Sequence, residues 1–325
     1  MIRDGLLLVD KAPGMTSHDA VAIVRRHSRI RKIGHTGTLD PNATGLLVLC
    51  IGAATRLQAY LMGMDKNYEG TIQFGWATDT YDSAGTPASE PTEKNVEDID
   101  FESFLERFRG GIDQVPPAFS AKKLQGVRAY ELARKGESPR LEPKRVTIHE
   151  LEIVGVEGSR LRFSVQCSAG TYVRSIAHEL GEAVAVPAHL SELRRTAVGH
   201  FEIGQALAID RVKEMEPDQI LAAPWFLTLS EIRLPLDSVL VDPTQERKLL
   251  NGQSVVVKPA VDTMRQDDLV TVMSLRDELV AIAQVSEVLR EGGGPVVLQP
   301  RVVLRRDEVV SAGAVRRARG TGQRK

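Results

Sequence analysis

Apolar residues fall along this chain in short runs of two different periods. Gly5–Val9 and Leu46–Ile51 are nearly continuous apolar runs and read as buried strands. From Lys66 to Trp76 the pattern alternates, with Tyr68, Ile72, Phe74 and Trp76 on one face and Glu69, Thr71 and Gln73 on the other. Arg145–Val156 and Arg160–Cys167 predict a hairpin turning at Glu157-Gly158-Ser159. Helical spacing follows Ser17, where Ala20, Val21 and Val24 share a face, so a helix over residues 18–28 with Ser17 as N-cap is expected. Further helices are expected over Ala53–Met62, Phe101–Phe108 and Thr171–Val184. Residues 77–100 are polar and broken by Gly85, Pro87 and Pro91, so they read as a loop. Gln114-Val115-Pro116-Pro117 is extended, because each proline restricts the residue before it. The pattern changes near Leu234-Pro235. Beyond it come a short helix, Pro243–Leu250, and three strand-like runs, Leu269–Met273, Leu279–Val285 and Val296–Leu304, which suggest a small β-rich appendage.

Length and composition then bound the class. The chain has 325 residues, enough for about two domains. Its 42 % hydrophobic and 26 % charged residues are ordinary for a soluble globular protein. No run reaches the length of a membrane span, and the apolar stretch Leu6–Val9 is too short for a signal peptide, so a cytoplasmic protein with no membrane partner is expected. Cys50 and Cys167 both sit in apolar runs and read as buried free thiols. The seven histidines never pair with cysteine or carboxylate at metal-ligand spacing, so no metal site is expected.

A net charge of −1 hides an uneven distribution. Residues 82–106 carry eight acids against Lys94 alone, whereas residues 107–145 carry ten Lys or Arg against four acids. Residues 118–145, with Lys122, Lys123, Arg128, Arg134 and Lys135, read as a basic excursion from the core, and 313–325 as a disordered basic tail. Basic blocks inside a neutral chain suit a polyanion held on one face, although a solvated surface explains each block equally well.

The strongest candidate for chemistry is Gly34-His35-Thr36-Gly37-Thr38-Leu39-Asp40-Pro41-Asn42-Ala43-Thr44-Gly45. Gly34, Gly37, Gly45 and Pro41 prevent a helix, so the run is a shaped loop holding one carboxylate, Asp40, directly before a core strand. A rigid scaffold could fix that carboxylate for chemistry. On composition alone the plainer reading is that Asp40 caps a turn before Pro41.

The same loop closely resembles the signature of the TruB family of bacterial tRNA pseudouridine synthases. The resemblance extends through Lys11–Ser17, Lys66-Asn67-Tyr68, Thr78–Asp82, Gln114–Ser120 with Ala121-Lys122-Lys123, Ser168–Arg174 and Leu193-Arg194-Arg195. These segments follow family order across about residues 5–200, which chance does not explain. Two positions depart from the family pattern: Ala12 before Pro13, and polar Asn42 in the Asp40 loop.

The resemblance implies an α+β fold: a pseudouridine synthase catalytic domain over residues 1–230, with a mixed, largely antiparallel sheet flanked by helices and a basic RNA-binding insertion at about 118–145. It also implies a PUA-like RNA-binding domain over 231–312. The implied reaction converts uridine-55 of the TΨC loop of tRNA to pseudouridine, by base flipping and an essential aspartate, with no cofactor. The expected partner is the T-arm of tRNA, and a monomer is expected. On this resemblance Asp40 is the catalytic carboxylate and Arg174 its cationic partner, where solvation or phosphate contact is the plain alternative for Arg174. Tyr68 would stack on the flipped base, with core packing as its plain alternative, and Tyr172 would wall the pocket or donate a hydrogen bond, with a half-buried tyrosine as its plain alternative. Leu193 would pack against the base and His35 would contact substrate. Lys11 would orient its own motif or touch phosphate. Lys122, Lys123 and Arg128 would clamp the T-arm. The alternatives are a sister synthase acting on other RNA and a non-catalytic RNA-binding or RNA-folding protein of the same fold. Retention of Asp40 argues against the latter.

Overall fold

The computed structural model describes residues 4–304, except 89, 93, 121–122, 125–126, 130–140, 223, 260–263 and 291–293. The chain divides into two units, Met1–Leu234 and Pro235–Lys325, at the step where the composition shifts. The basic tail at 313–325 and Lys122 lie outside the described residues.

The first unit is built on one eleven-stranded sheet. Its strands are β1 (Gly5–Lys11), β2 (Ile33–His35), β3 (Thr44–Ile51), β4 (Lys66–Phe74), β5 (Gly110–Gln114), β8 (Lys144–Glu157), β9 (Arg160–Cys167), β10 (Ala188–Val198), β11 (Phe201–Glu202), β12 (Leu207–Ala208) and β13 (Phe226–Thr228). A separate small hairpin, β6 (Lys123–Leu124) and β7 (Val127–Arg128), pairs Lys123 with Arg128. The main path runs β12-β1-β3-β10-β4-β9-β8-β5. Its pairings are antiparallel except β1 with β12 and β3 with β10. A mixed, largely antiparallel sheet flanked by helices is therefore what the chain forms.

Two apolar cores cover this sheet. One joins Val9, Leu47 and Leu49 to Val21 and Val24 of helix α1 (Ser17–Ser28) and to Leu207, Ile209 and Phe226. The other joins Ile72, Phe74, Phe163 and Val165 to Phe101, Leu105 and the helix over Val173–Ala183. Tyr68 and Leu193 pack against both cores, so they stand at the seam between them.

Several local expectations shift. The N-cap of α1 is Thr16, not Ser17. Thr16 has extended dihedrals, its hydroxyl accepts the Asp19 N–H at 3.1 Å, and Asp19 accepts the Thr16 N–H at 2.9 Å, a closed capping box. Ser17 is the first helical residue and is buried. The helix expected over Ala53–Met62 opens as a 3₁₀ turn, Gly52–Leu57, before α2 (Gln58–Met62). Phe101–Phe108 likewise splits into α3 (Glu102–Leu105) and a 3₁₀ turn, Glu106–Phe108. Helix α4 starts at Val173 rather than Thr171, because the Thr171 N–H closes a turn onto the Ser168 carbonyl at 3.4 Å.

The second unit carries β14 (Ser238–Val241), β15 (Val255–Val257), β16 (Leu269–Ser274), β17 (Leu279–Val288) and β18 (Val296–Val303), in the order β14-β16-β17-β18-β15. Its core of Val239, Leu249, Val272, Val285 and Leu298 is its own. No described helix is long and apolar enough to cross a membrane.

Candidate active site

Asp40 sits on the loop between β2 and β3, and neighbouring segments fix that loop. The Ser17 hydroxyl, freed from capping, accepts the Leu39 N–H at 2.8 Å and donates to the Leu39 carbonyl at 3.1 Å. Lys11, fully buried, donates to the carbonyls of Ala12, Met15 and Pro41 at 2.8–3.1 Å. From the far side Arg195, only 2 % exposed, donates to the carbonyls of Leu46 at 2.7 Å and Gly37 at 3.2 Å. Gly45 lets β3 approach β10 here. Its φ is +101°, and a Cβ would stand 2.3 Å from the Arg195 carbonyl oxygen.

The first turn of α4 supplies the counter-charge. Arg174 is 7 % exposed on its side chain and every nitrogen is engaged. Nε reaches Asp40 Oδ2 at 3.0 Å, and Nη1 reaches Asp82 Oδ2 at 3.1 Å and the Thr80 carbonyl at 2.9 Å. Nη2 donates to the Phe119 carbonyl at 3.2 Å. One guanidinium thus holds two carboxylates, and the solvation alternative for Arg174 does not apply. Asp40 keeps 39 % of its side chain exposed, so one face is open to an incoming group. Burial pushes the Asp40 carboxyl above its ordinary range, and the Asp82 carboxylate adds to this, against the pull of Arg174 and Lys11.

Asp40 stands between two cavities. One, of about 300 Å³, is lined by Tyr68, Tyr172, Leu193, Lys66 and Arg195 with Asp40 and Arg174. The other, of about 800 Å³, is lined by His18, His35, Thr38, Asp79 and Phe119, again with Asp40 and Arg174. The smaller is of the size that encloses a small organic ring system. Tyr172 is held at its mouth by Gln114, whose amide accepts the Tyr172 N–H at 2.7 Å and donates to its carbonyl at 3.0 Å.

The structure thus brings Asp40, Arg174, Tyr68, Tyr172 and Leu193 to one cavity. His35 borders the other, edge-on to His18 with ring centroids 5.3 Å apart. Burial, then the neighbouring His18 and Arg195, lower its pKa, so its ring is neutral at neutral pH. Lys11 touches no open space, and all three contacts are carbonyls. Those contacts tie the first motif, through Ala12 and Met15, to Pro41 of the Asp40 loop. Burial holds the Lys11 ammonium down to about 8. The backbones of Lys123 and Arg128 are described, in a two-stranded hairpin away from the main sheet; Lys122 lies outside the described residues.

Comparison with known proteins fixes the family. The profile of the TruB family pseudouridylate synthase N-terminal domain matches residues 25–173, and that of the tRNA pseudouridylate synthase B C-terminal domain matches residues 174–241. The chain belongs to the TruB family of pseudouridylate synthases. The tRNA pseudouridine synthase B of Solibacter usitatus is 42 % identical over 287 residues, covering 87 % of this chain and 96 % of that protein. That of Symbiobacterium thermophilum is 49 % identical over 212 residues, covering 64 % and 71 %. Among solved structures, a chain of the archaeal box H/ACA sRNP Nop10-Cbf5 complex superposes with a TM-score of 0.71 over 94 % of this chain and 88 % of that one. At 23 % identity that likeness is one of fold.

Within this TruB-family site, two residues escaped assignment from sequence. Asp82 closes the family-like segment Thr78–Asp82 but drew no role of its own, because it opens an acid-rich stretch, residues 82–106, that reads as solvated surface. Arg195 lies on β10, a central strand that the apolar pattern does not reveal. β10 reads Ala-His-Leu-Ser-Glu-Leu-Arg-Arg-Thr-Ala-Val, and its pairing with β4 slips between Leu190 and Glu192. The slip breaks the alternation that marks a strand.

Proposed function

We propose that this chain converts uridine-55 in the TΨC loop of tRNA to pseudouridine, without a cofactor, in the cytoplasm and as a monomer. The observation that carries the reading is Asp40, a carboxylate that borders both cavities, ion-paired to a buried arginine and with one face open. The names of the curated relatives supply tRNA as the substrate class.

The reaction breaks the bond from C1′ of the ribose to N1 of uracil, turns the base, and joins C1′ to C5. The C5 proton leaves and N1 gains one, so the change is an isomerisation and nothing is oxidised. A target base stacked in a folded loop must leave the stack to reach Asp40. In this reading the 300 Å³ cavity receives it, Tyr68 stacks on its face, Leu193 packs against it and Tyr172 walls the pocket. Arg174 aims Asp40 and draws it toward its ionised form, in a site where burial favours the neutral acid. Asp40 then attacks the sugar or the base, or takes the C5 proton. His35, in the larger cavity, contacts neighbouring substrate groups as a neutral imidazole. The basic insertion, with Lys122, Lys123 and Arg128, holds the T-arm through its phosphates, and the β-rich second unit acts as a PUA-like RNA-binding domain.

Asp40→Asn is the direct test of the enzyme reading against an RNA binder of the same fold. The variant is expected to bind tRNA as the wild type does and to form no pseudouridine in a tritium-release assay on uridine-labelled transcript. Product at the wild-type rate would remove Asp40 from the chemistry.

A further inference from the structure

We propose that Tyr81 and His178 form a stacked clamp that positions Asp82, and through it Arg174, behind Asp40. The inference rests on the reading of Asp40 and Arg174 as the reactive pair. Arg174 and His178 are one turn apart on α4 and share a face. Arg174 grips the Thr80 carbonyl and the Asp82 carboxylate. Four residues along the same helix, the His178 ring lies flat on Tyr81, with centroids 3.8 Å apart and planes 9° from parallel. The three-residue segment Thr80–Asp82 is therefore held to one helix at both its charged end and its aromatic middle.

The backbone gives the reason for an aromatic here. Tyr81 has φ +64°, a left-handed conformation that a tyrosine rarely adopts. Such a residue persists only where its surroundings hold it. Its N–H reaches the Thr78 carbonyl at 3.2 Å and its carbonyl accepts the Leu190 N–H at 2.9 Å. The left-handed turn sends the Tyr81 ring onto α4 while Asp82 faces Arg174. Asp82 is then completed by local bonds: Oδ1 accepts from the Thr80 hydroxyl at 2.7 Å and the Ala84 N–H at 3.0 Å. Burial lowers the His178 pKa, against Glu182 at 3.7 Å, so a neutral imidazole faces the tyrosine at neutral pH. Neither ring is among the residues lining the two cavities, so both are positioning residues rather than catalytic ones.

The test compares Tyr81→Gly, Tyr81→Phe and His178→Ala in the full-length enzyme. Glycine accepts the left-handed backbone while deleting the ring, which separates the stack from the strain. Three quantities are read: the single-turnover rate of pseudouridine formation on a tRNA transcript, the tRNA Kd, and amide hydrogen exchange at Ser83 and Leu190. Tyr81→Gly and His178→Ala are expected to lower the rate about tenfold, the scale of one lost aromatic pair. Kd should stay at the wild-type value and exchange at both amides should rise, while Tyr81→Phe restores rate and exchange. Wild-type rate and exchange in Tyr81→Gly would overturn the clamp. So would a rate loss matched by an equal loss of affinity, or one that Tyr81→Phe fails to restore. Hydrogen exchange needs no turnover, so it decides the clamp even if the wild-type chain forms no pseudouridine, an outcome that would instead defeat the reading of Asp40.

Discussion

At the scale of single residues, the site concentrates charge where water is scarce. Asp40, Arg174, Asp82 and Lys11 all interact, and three of the four are largely withdrawn from solvent. Such an arrangement favours function over stability. The unfolded Asp40 carboxyl titrates near about 4, and the folded one above that. Its ionised form therefore costs the fold stability, a cost that grows as pH rises from the unfolded to the folded value and stays in place above it. Asp40→Asn should match or exceed the wild-type Tm at pH 7, and the difference should shrink as pH falls through that window. Thermal unfolding followed against pH checks this. Lys11 offers a complementary prediction. Lys11→Met should leave the tRNA Kd and its salt dependence unchanged, because no phosphate contact is lost, while lowering the rate by loosening the Asp40 loop. A salt slope reduced by about one would return Lys11 to the RNA.

At the scale of elements, the Asp40 loop is held by its neighbours more than by its own sequence. Thr16 caps α1, and Ser17, one residue later, ties that helix to Leu39. The two hydroxyls have different work, so their removal should differ. Thr16→Ala is expected to cost about 1 kcal/mol as a lost cap with the rate intact. Ser17→Ala leaves a buried amide and carbonyl without that partner and should cost roughly 1–3 kcal/mol, together with a fall in rate. Denaturant unfolding and single-turnover kinetics separate the two. The elements legible in the sequence were those with clean periodicity: β1, β3, β4, the β8–β9 hairpin and α1 all follow from apolar spacing. β10 was not legible, because a central strand carrying His189, Glu192, Arg194 and Arg195 with a register slip has no strand period. Yet β10 supplies Leu193 and Arg195 to the site. The Asp40 loop stood out by its glycines and proline, but Arg174 as its partner came only through family motifs, since nothing in either segment alone says that the two side chains meet.

At the scale of the whole molecule, a neutral chain must hold a polyanion. Its net charge is −1, so the attraction must come from local blocks rather than the overall field. Neutralising Lys122, Lys123 and Arg128 together should weaken tRNA binding and flatten the dependence of log K on log salt by about 2 to 3. Equilibrium binding across a salt series measures that slope, and an unchanged slope would remove the insertion from the interface. Burial pushes the Cys50 thiol up to about 12 and that of Cys167 up to about 11, so both stay protonated at neutral pH and act as buried apolar side chains.

The central claim is that one carboxylate acts on one uridine in one RNA class. A transcriptome-wide map of pseudouridines, compared between cells with the wild-type chain and cells carrying only Asp40→Asn, tests it most directly. The account predicts loss of pseudouridine at position 55 of tRNA T-loops and at no other site. Retention of that pseudouridine, or loss confined to another RNA, would contradict it.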